Sequence, residues 1–579
     1  MQLAWGQANV AWLSRLRPNI WDAVALPIVL GFVALMAYSG EQAVVPFQLG
    51  DQIPISLDPI ALPGYALRTV LRMAIALVCS IVFSLVYAAL AAKSRQAEKL
   101  LIPILDILQS VPILIFEAVT IVPFIRLFPG QLLGAECAAI FAIFTSQAWN
   151  ITFSLYQSFR TVPGELKEAA RMYHLTPMQT FWRLEVPHAM PGLVWNTMMS
   201  VSGGWFFVVA AEAFSVEGND ITLPGIGSYI KVANDQSDFL AIFYAIVAML
   251  IVILMSDQLL FRPMLAWSQK FKNELAGEEA LERPWFLVVL QQARIFDLIG
   301  TVIEAVSNLS KLVFRRILPP GKTRPIESGE AGSIVDWAVN LGFAAVALYA
   351  GWALVKFVTD SVPLTEIEYV GLLGGATALR VIVMIAIASI TWVPVGVWIG
   401  LQPRLAQTAQ PVIQFLAAFP TNLFFPFVVA IIVRYGLNKD VWLSPLMILG
   451  TQWYILFNVI GGTMAIPAEL HYAARNLGVR RWLWWRRVIL PGIFPAYVTG
   501  ALTAAGGSWN ASIVAEYVQS GGTTLTATGV GAYISQYQSA GDFPRMTLGA
   551  GVLCVYVILF NRLLWRRLYN MAAEKLRLD

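Results

Sequence analysis

Along most of this chain apolar residues do not alternate with polar ones. They come in runs of about 20, broken by clusters of charge, glycine and proline. A run of that length fits a helix that crosses a bilayer. Twelve stand out, near residues 22–39, 66–91, 100–128, 132–157, 191–214, 239–261, 336–358, 373–400, 411–433, 443–463, 491–514 and 544–564. Composition agrees: of 579 residues, 58% are hydrophobic and only 13% charged, half the charged share of a soluble protein. Twelve spans with short loops leave no room for a large aqueous domain, so catalysis in water is largely excluded. The three cysteines (Cys79, Cys137, Cys554) lie in apolar stretches, and His174, His188 and His471 lack metal-ligand spacing.

The net charge of +4 matters less than its placement. With both termini cytoplasmic, the inner segments collect about 30 of the 39 Lys+Arg and the outer loops about four (Arg126, Lys231, Arg434, Lys439). Arg15 and Arg17 precede the first run, which ends without a small-residue cleavage pattern, so it reads as an anchor.

The chain also repeats itself. At a constant offset of 304 residues, Trp149 falls on Trp453, Glu165 on Glu469, Ala169-Ala170-Arg171 on Ala473-Ala474-Arg475, Trp205 on Trp509 and Glu212 on Glu516. The register continues through Gly225-x-Gly227-x-Tyr229-Ile230 on Gly529-x-Gly531-x-Tyr533-Ile534. Upstream the offset drifts to 308 (Pro112 on Pro420) and 312 (Arg68 on Arg380), as loop-length changes after a duplication would produce. Two parallel six-span halves result: residues 1–275 with a core at 64–275, and 333–579 with a core at 370–579. The linker 276–332 between them is basic and partly amphipathic. Reading it as a thirteenth span would invert the second half against the charge rule, so it is expected to be cytoplasmic, on the membrane surface or as a free linker.

Each half has one long inner loop of about 30 residues after its fourth span, and these loops hold the best-matched part of the repeat. They run from Pro163 to Pro187 and from Pro467 to Pro491. Each predicts a short helix starting just after proline, with an acidic first turn and an Ala-Ala pair. Small side chains on an exposed helix let a partner approach closely; alanine also simply favours helix. The spacing Glu-Ala-Ala, three residues, Gly, nine residues, aliphatic-x-aliphatic-Pro resembles the coupling loop of ABC importer permeases. The first half has Glu168-Ala169-Ala170, then His174 at the glycine position, then Leu184-Glu185-Val186-Pro187. The second has Tyr472-Ala473-Ala474, then Gly478, then Val488-Ile489-Leu490-Pro491.

Ala378-Leu379-Arg380, Phe419-Pro420 with Leu423-Phe424-Phe425-Pro426, and the Gly-x-Gly-x-Tyr-Ile stretches make the chain similar to the nitrate, taurine, sulfonate and bicarbonate type of binding-protein-dependent permease. The resemblance covers about 420 residues. It implies an all-α membrane protein, about 12 transmembrane helices in a type I ABC importer fold, with both permease halves fused. It further implies two separate ABC ATPase subunits that use ATP and Mg, a periplasmic or lipid-anchored solute-binding protein, and a bacterial inner-membrane location. The chain itself is expected to bind no cofactor or nucleic acid: Gly321-Lys322-Thr323 lacks the rest of a phosphate-binding loop. ATPase coupling is then expected from Glu165, Glu168, Ala169, Ala170, His174, Glu469, Tyr472, Ala473, Ala474 and Gly478.

The pathway is expected along the axis between the halves. Its candidates are Trp205, Trp509 and Asn510 on the small-residue-rich fifth and eleventh spans, the intramembrane Glu117 opposite Phe425 in the repeat, Arg68 and Arg380, and Glu212 and Glu516 near the outer ends. For each, helix packing, lipid-headgroup contact or a solvated helix end is the plain alternative. A secondary transporter of the major facilitator type shares twelve spans in two halves, but its Gly-Arg-rich loop is absent: that loop reads Lys93 to Lys99. A membrane scaffold would not need paired coupling loops.

Overall fold

Proline sets where the long apolar runs break. Val111 before Pro112 (φ −78°, ψ 127°) and Phe419 before Pro420 (φ −73°, ψ 125°) are both extended, the conformation a residue preceding proline prefers. Each expected single span, at 100–128 and at 411–433, is therefore two helices, and the second pair bends by 74°.

A computed structural model describes residues 53–111, 113–216, 219–271, 351–520 and 523–568, with isolated positions near 342–349 and at 571. The expected span at 22–39, the linker after residue 271 and most of the span at 336–358 lie outside the described residues. The first half runs α1 (Leu62–Lys93), α2 (Arg95–Ser110), α3 (Ile113–Leu127), α4 (Leu133–Arg160), α5 (Gly164–Met172) and α6 (Val186–Ala211). A hairpin of β1 (Ala213–Val216) and β2 (Asn219–Thr222) follows, then α7 (Ile226–Asp235) and α8 (Phe239–Ser256). The second half runs α9 (Leu364–Gly400), α10 (Pro403–Ala418), α11 (Phe425–Tyr435), α12 (Gln452–Met464), α13 (Ala468–Asn476) and α14 (Leu490–Ala515). Its hairpin of β3 (Tyr517–Ser520) and β4 (Thr523–Thr526) precedes α15 (Val530–Ala540) and α16 (Phe543–Phe560). Every second-half helix is the counterpart of the one numbered eight lower.

Among the described residues seven helices are long and apolar enough to cross a membrane, or nine if each bent pair makes one span. The hairpins are the addition to the expected all-α architecture. They occupy segments that sequence periodicity leaves as loops, four residues per strand being too short to show alternation.

The described residues fall into two units. The larger comprises Ala43–Leu175, Trp195–Leu254 and Ala353–Asp579. Within it α1 packs along α4 through fully buried small residues, Ala76, Ala88 and Ala91 meeting a helix that buries Ala135, Ala138, Ala139 and Ala142. Small side chains bring the two backbones close, and the Thr152 hydroxyl donates to Ser84 Oγ at 2.8 Å across the seam. The opposite face of α1 exposes Val78, Val82, Val86 and Leu90 at intervals of four, an apolar stripe suited to lipid. The halves interlock through α2 on α16, α3 on α14 and α15 on β1. In the smaller unit (Met1–Gln42, Thr176–Val194, Met255–Trp352) Thr176 and Gln179 form a reciprocal capping box, and Arg262 pairs with Asp257 at 2.9 Å.

Candidate functional site

The two inner-loop helices begin where the sequence places them. Pro163 (φ −55°, ψ 138°) and Pro467 (φ −56°, ψ 137°) are the residues just before α5 and α13, so each helix opens without a lost N–H. Glu165, Glu168, Glu469 and Tyr472 are exposed; Ala170 and Ala474 turn inward and are buried, while Ala169 is half-buried and Ala473 exposed. The helices end alike. His174 takes φ 51° and Gly478 φ 68°, both left-handed, and in each half three backbone bonds close the turn. Thus the absent glycine does not change the turn: His174 adopts glycine's conformation at a cost of about 1–2 kcal/mol. The residue before it protrudes in both halves, Tyr173 at 81% and Leu477 at 80% exposure. Pattern matching missed this pair, because it falls between the motif's specified positions.

Between the halves lie two cavities whose walls are made of repeat counterparts. The central one, about 190 Å³, has Gly203 facing its counterpart Gly507, Phe206 its counterpart Asn510, and Phe207 its counterpart Ala511. The second, about 270 Å³, lies beside the hairpins and pairs Ala210 with Val514, Lys231 with Ser535 and Asp235 with Ser539. Lining by equivalent residues is the signature of a pseudo-twofold axis, as expected for parallel repeats. Asn510, expected in the pathway, does line the central cavity. Its Oδ1 accepts from the Ile113 amide at 2.6 Å, capping the start of α3 from the other half.

Other pathway candidates sit elsewhere. Trp205 and Trp509 are each 2% exposed and line neither cavity; Trp509 packs edge-on against Phe560 at 6.1 Å. The small residues beside them leave room for these rings inside the helix bundle, which is the packing alternative. Arg68 is half-buried on α1 and lines neither cavity. Glu117 lies on α3 but its side chain is outside the described residues; Phe425, its counterpart, is buried and lines the hairpin-side cavity.

The expectation for Arg68, Arg380, Glu212 and Glu516 needs correction. Glu212 and Glu516 are 0% and 1% exposed, neither at a solvated end nor in a cavity. Each is the centre of a matched cluster. Thr69 Oγ1 donates to Glu212 at 2.6 Å, Arg72 Nη1 at 2.8 Å and the Gly227 amide at 2.7 Å. In the second half Thr377 (2.8 Å), Arg380 (2.9 Å) and the Gly531 amide (2.8 Å) bind Glu516 the same way. The counterpart of Arg380 is therefore Arg72, at the offset of 308 already set by the prolines; pairing it with Arg68 slips the helix by one turn. Each arginine holds a second carboxylate, and these too are counterparts: Glu136 at 2.6 and 2.7 Å, and Asp440 at 2.8 Å. A Cβ at Gly225 would fall on the Glu212 carboxylate, and one at Gly529 on that of Glu516. That explains the first glycine of each Gly-x-Gly stretch, since only a bare backbone approaches so closely. Burial pushes both carboxyls above their ordinary range, opposed by the arginine, the threonine hydroxyl and the backbone amides. The clusters clamp hairpin and short helix onto α1 and α9.

Comparison with known proteins fits this arrangement. The model of the family described as binding-protein-dependent transport system inner membrane component matches residues 80–260 and again 392–577. The chain belongs to this family. Both matches together cover more than half of it, one per half, so this family member carries the domain twice. It is 31% identical over 159 residues to the bicarbonate transport system permease protein of Synechococcus elongatus, covering 28% of this chain and 54% of that one. With the nitrate import permease protein of Synechocystis it shares 25% over 252 residues, 42% of this chain and 86% of the relative. With the glycine betaine/proline betaine transport system permease protein of Escherichia coli it shares 28% over 244 residues, 39% and 66%. The aligned stretch thus spans about half the length of the bicarbonate relative.

Proposed function

We propose that this chain is the translocation subunit of an ATP-driven importer of a small solute, doing alone what two permease subunits do elsewhere in the family. The observation that carries this is the pair of matched, exposed inner-loop helices, α5 and α13, each closed by a left-handed turn and each with a large side chain protruding just before that turn, Tyr173 and Leu477. Two ATPase subunits, which bind ATP and Mg, would dock there. Covering Tyr173 and Leu477 would stabilise each contact by about 1.5–3 kcal/mol, and the acidic first turns carrying Glu165 and Glu469 would set its register. Closure of the ATPase pair would move the two helices together and reshape the axis between the halves. The hairpins and the cavity beside them would face a solute-binding protein outside, with both termini in the cytoplasm. Glu117 we place toward the axis, since its counterpart Phe425 lines it.

Co-purification tests this. The native complex should contain ABC ATPases, and Ala170→Glu or Ala474→Glu, which forces a charge into a buried position of a docking helix, should reduce their yield and ATP-dependent uptake together. Normal ATPase recovery and transport in both variants would reject the docking surfaces.

A further inference from the structure

The wall of the central cavity has a polar side and an apolar side, and they divide by repeat. Among the described residues, second-half positions supply every side-chain donor in that wall whose proton is uncommitted. The hydroxyls of Tyr454 and Thr421 make no hydrogen bond there, although these residues are only 9% and 7% exposed. Asn510 Nδ2 gives one proton to Gly506 O at 3.0 Å while its Oδ1 is held by the Ile113 amide, so the second amide proton is left over. The remaining hydroxyls are engaged: Ser202 donates to Met198 O at 2.9 Å, Thr503 to Thr499 O at 3.1 Å, and Thr451 pairs with Ser508 at 3.1 Å.

The first half has no equivalent set. Where the second half has Thr421 and Asn510, the first has the apolar side chains of Ile113 and Phe206. The counterpart of Tyr454 is Asn150, which donates to Ser200 of its own half at 2.9 Å and does not line the cavity. Tyr454 instead reaches across the axis. A Cβ added at Gly203, in the first half, would come within 3.2 Å of the Tyr454 hydroxyl oxygen and of nothing else within 4 Å. The bare glycine thus leaves the hydroxyl room that a methyl group would take. A hydroxyl enclosed in this way has given up its bonds to water without gaining a protein partner in return. A few convergent polar groups in an otherwise apolar cavity are what hold and recognise a small ligand.

Building on the importer reading above, we infer that the solute meets this chain at a donor site on the second-half wall of the central cavity, where the Tyr454 hydroxyl, with Thr421 and Asn510, donates to an acceptor oxygen of the passing molecule. The site asks for an acceptor atom and not for a particular charge. The test uses the native complex of this chain with its ATPases and binding protein, reconstituted in proteoliposomes with ATP and Mg inside. Isotope-labelled nitrate, bicarbonate, taurine and glycine betaine, which all carry acceptor oxygens, are supplied outside one at a time. Tyr454→Phe removes the hydroxyl and keeps the ring. It should slow uptake of each probe that the wild type accumulates by about ten-fold, equal to about 1.4 kcal/mol, with ATPase recovery and melting temperature unchanged. Wild-type uptake by this variant would mean that the hydroxyl meets only water, and slowed uptake with a lowered melting temperature would make its role structural; either overturns the inference. So does an assembled wild-type complex that moves none of the four probes. A chain that recruits no ATPase overturns the importer reading instead. Gly203→Ala gives a second measurement, since its methyl crowds the hydroxyl: alone it should slow uptake, and added to Tyr454→Phe it should cost nothing more. An equal further loss in the double variant overturns the inference, because the glycine would then act through another contact.

Discussion

Arg72→Met should unfold this protein more readily than the equivalent Arg380→Met, although both arginines hold the buried glutamate of their half at nearly the same distance. Arg72 lies between two sequestered carboxylates, Glu212 with a side chain 0% exposed and Glu136 with one 14% exposed. Removing the cation strands both, and breaking a buried ion pair by deleting one partner costs about 3–5 kcal/mol. At Arg380 the second carboxylate, Asp440, is 40% exposed and also takes the Thr528 amide at 2.6 Å, so it remains hydrated and bonded after the change. Only Glu516 is stranded there, and the loss should be nearer 2–3 kcal/mol, about the cost of one unsatisfied buried charged group. Heating the purified complex and following it by fluorescence-detected size exclusion ranks the variants. Arg72→Met with Glu212→Gln should recover part of the loss, because an uncharged amide no longer needs the guanidinium. The sign with pH follows from burial: a stranded carboxylate has its folded pKa raised, so it destabilises when ionised, and the deficit should shrink as pH falls and the group takes up a proton. Equal losses in the two halves, or an Arg72→Met within about 0.5 kcal/mol of wild type, would refute the assignment of these clusters as the clamps of the hairpin ends.

Three further outcomes are expected. His174→Gly should raise thermal stability by about 1 kcal/mol and Gly478→Ala lower it by a similar amount, since both positions are left-handed; opposite signs would mean the turns differ. Gly225→Ala and Gly529→Ala should each reduce the folded yield in size exclusion, because the added methyl meets a carboxylate with no free space; wild-type yield from both would mean that the clusters relax without cost. Cysteines placed at Ser307 and Gly332 in a cysteine-free chain should resist an impermeant thiol reagent added outside, and labelling of Gly332 would add a span to the linker.

The helical periods, the duplication and the two inner-loop helices were legible because each rests on a local rule: run length, a constant offset, a proline before an acidic turn. The clusters at Glu212 and Glu516 were not. Their side-chain partners come from 60 to 143 residues away, and nothing local marks Thr69 or Arg72 as facing inward. One signal was available. Glu136 falls on Asp440 at the offset of 304, and Thr69 and Arg72 fall on Thr377 and Arg380 at the offset of 308 set by Pro112 and Pro420. Paired polar residues in otherwise apolar helices, kept in both halves, point to a shared buried network. The break inside each second apolar run was equally accessible, through the residue before proline. The hairpins were not, as strands of four residues leave no period to detect.

Carrying the family domain twice in one chain has a structural consequence at the axis. When one polypeptide supplies both sides of a twofold interface as two copies, every substitution on the axis appears twice, and a contact that needs different residues on the two sides cannot form. Here it does form. Asn510 caps the Ile113 amide across the interface, while its counterpart Phe206 has no acceptor to offer, and the counterpart of Ile113 is Thr421, which opens a short 3-10 helix. The walls of the hairpin-side cavity differ likewise, with Lys231 and Asp235 opposite two serines. Away from the axis the halves keep the same turns at His174 and Gly478 and the same glutamate, arginine and threonine clusters. The frame of turns and buried clusters is thus twofold, whereas the lining of the axis is one-sided.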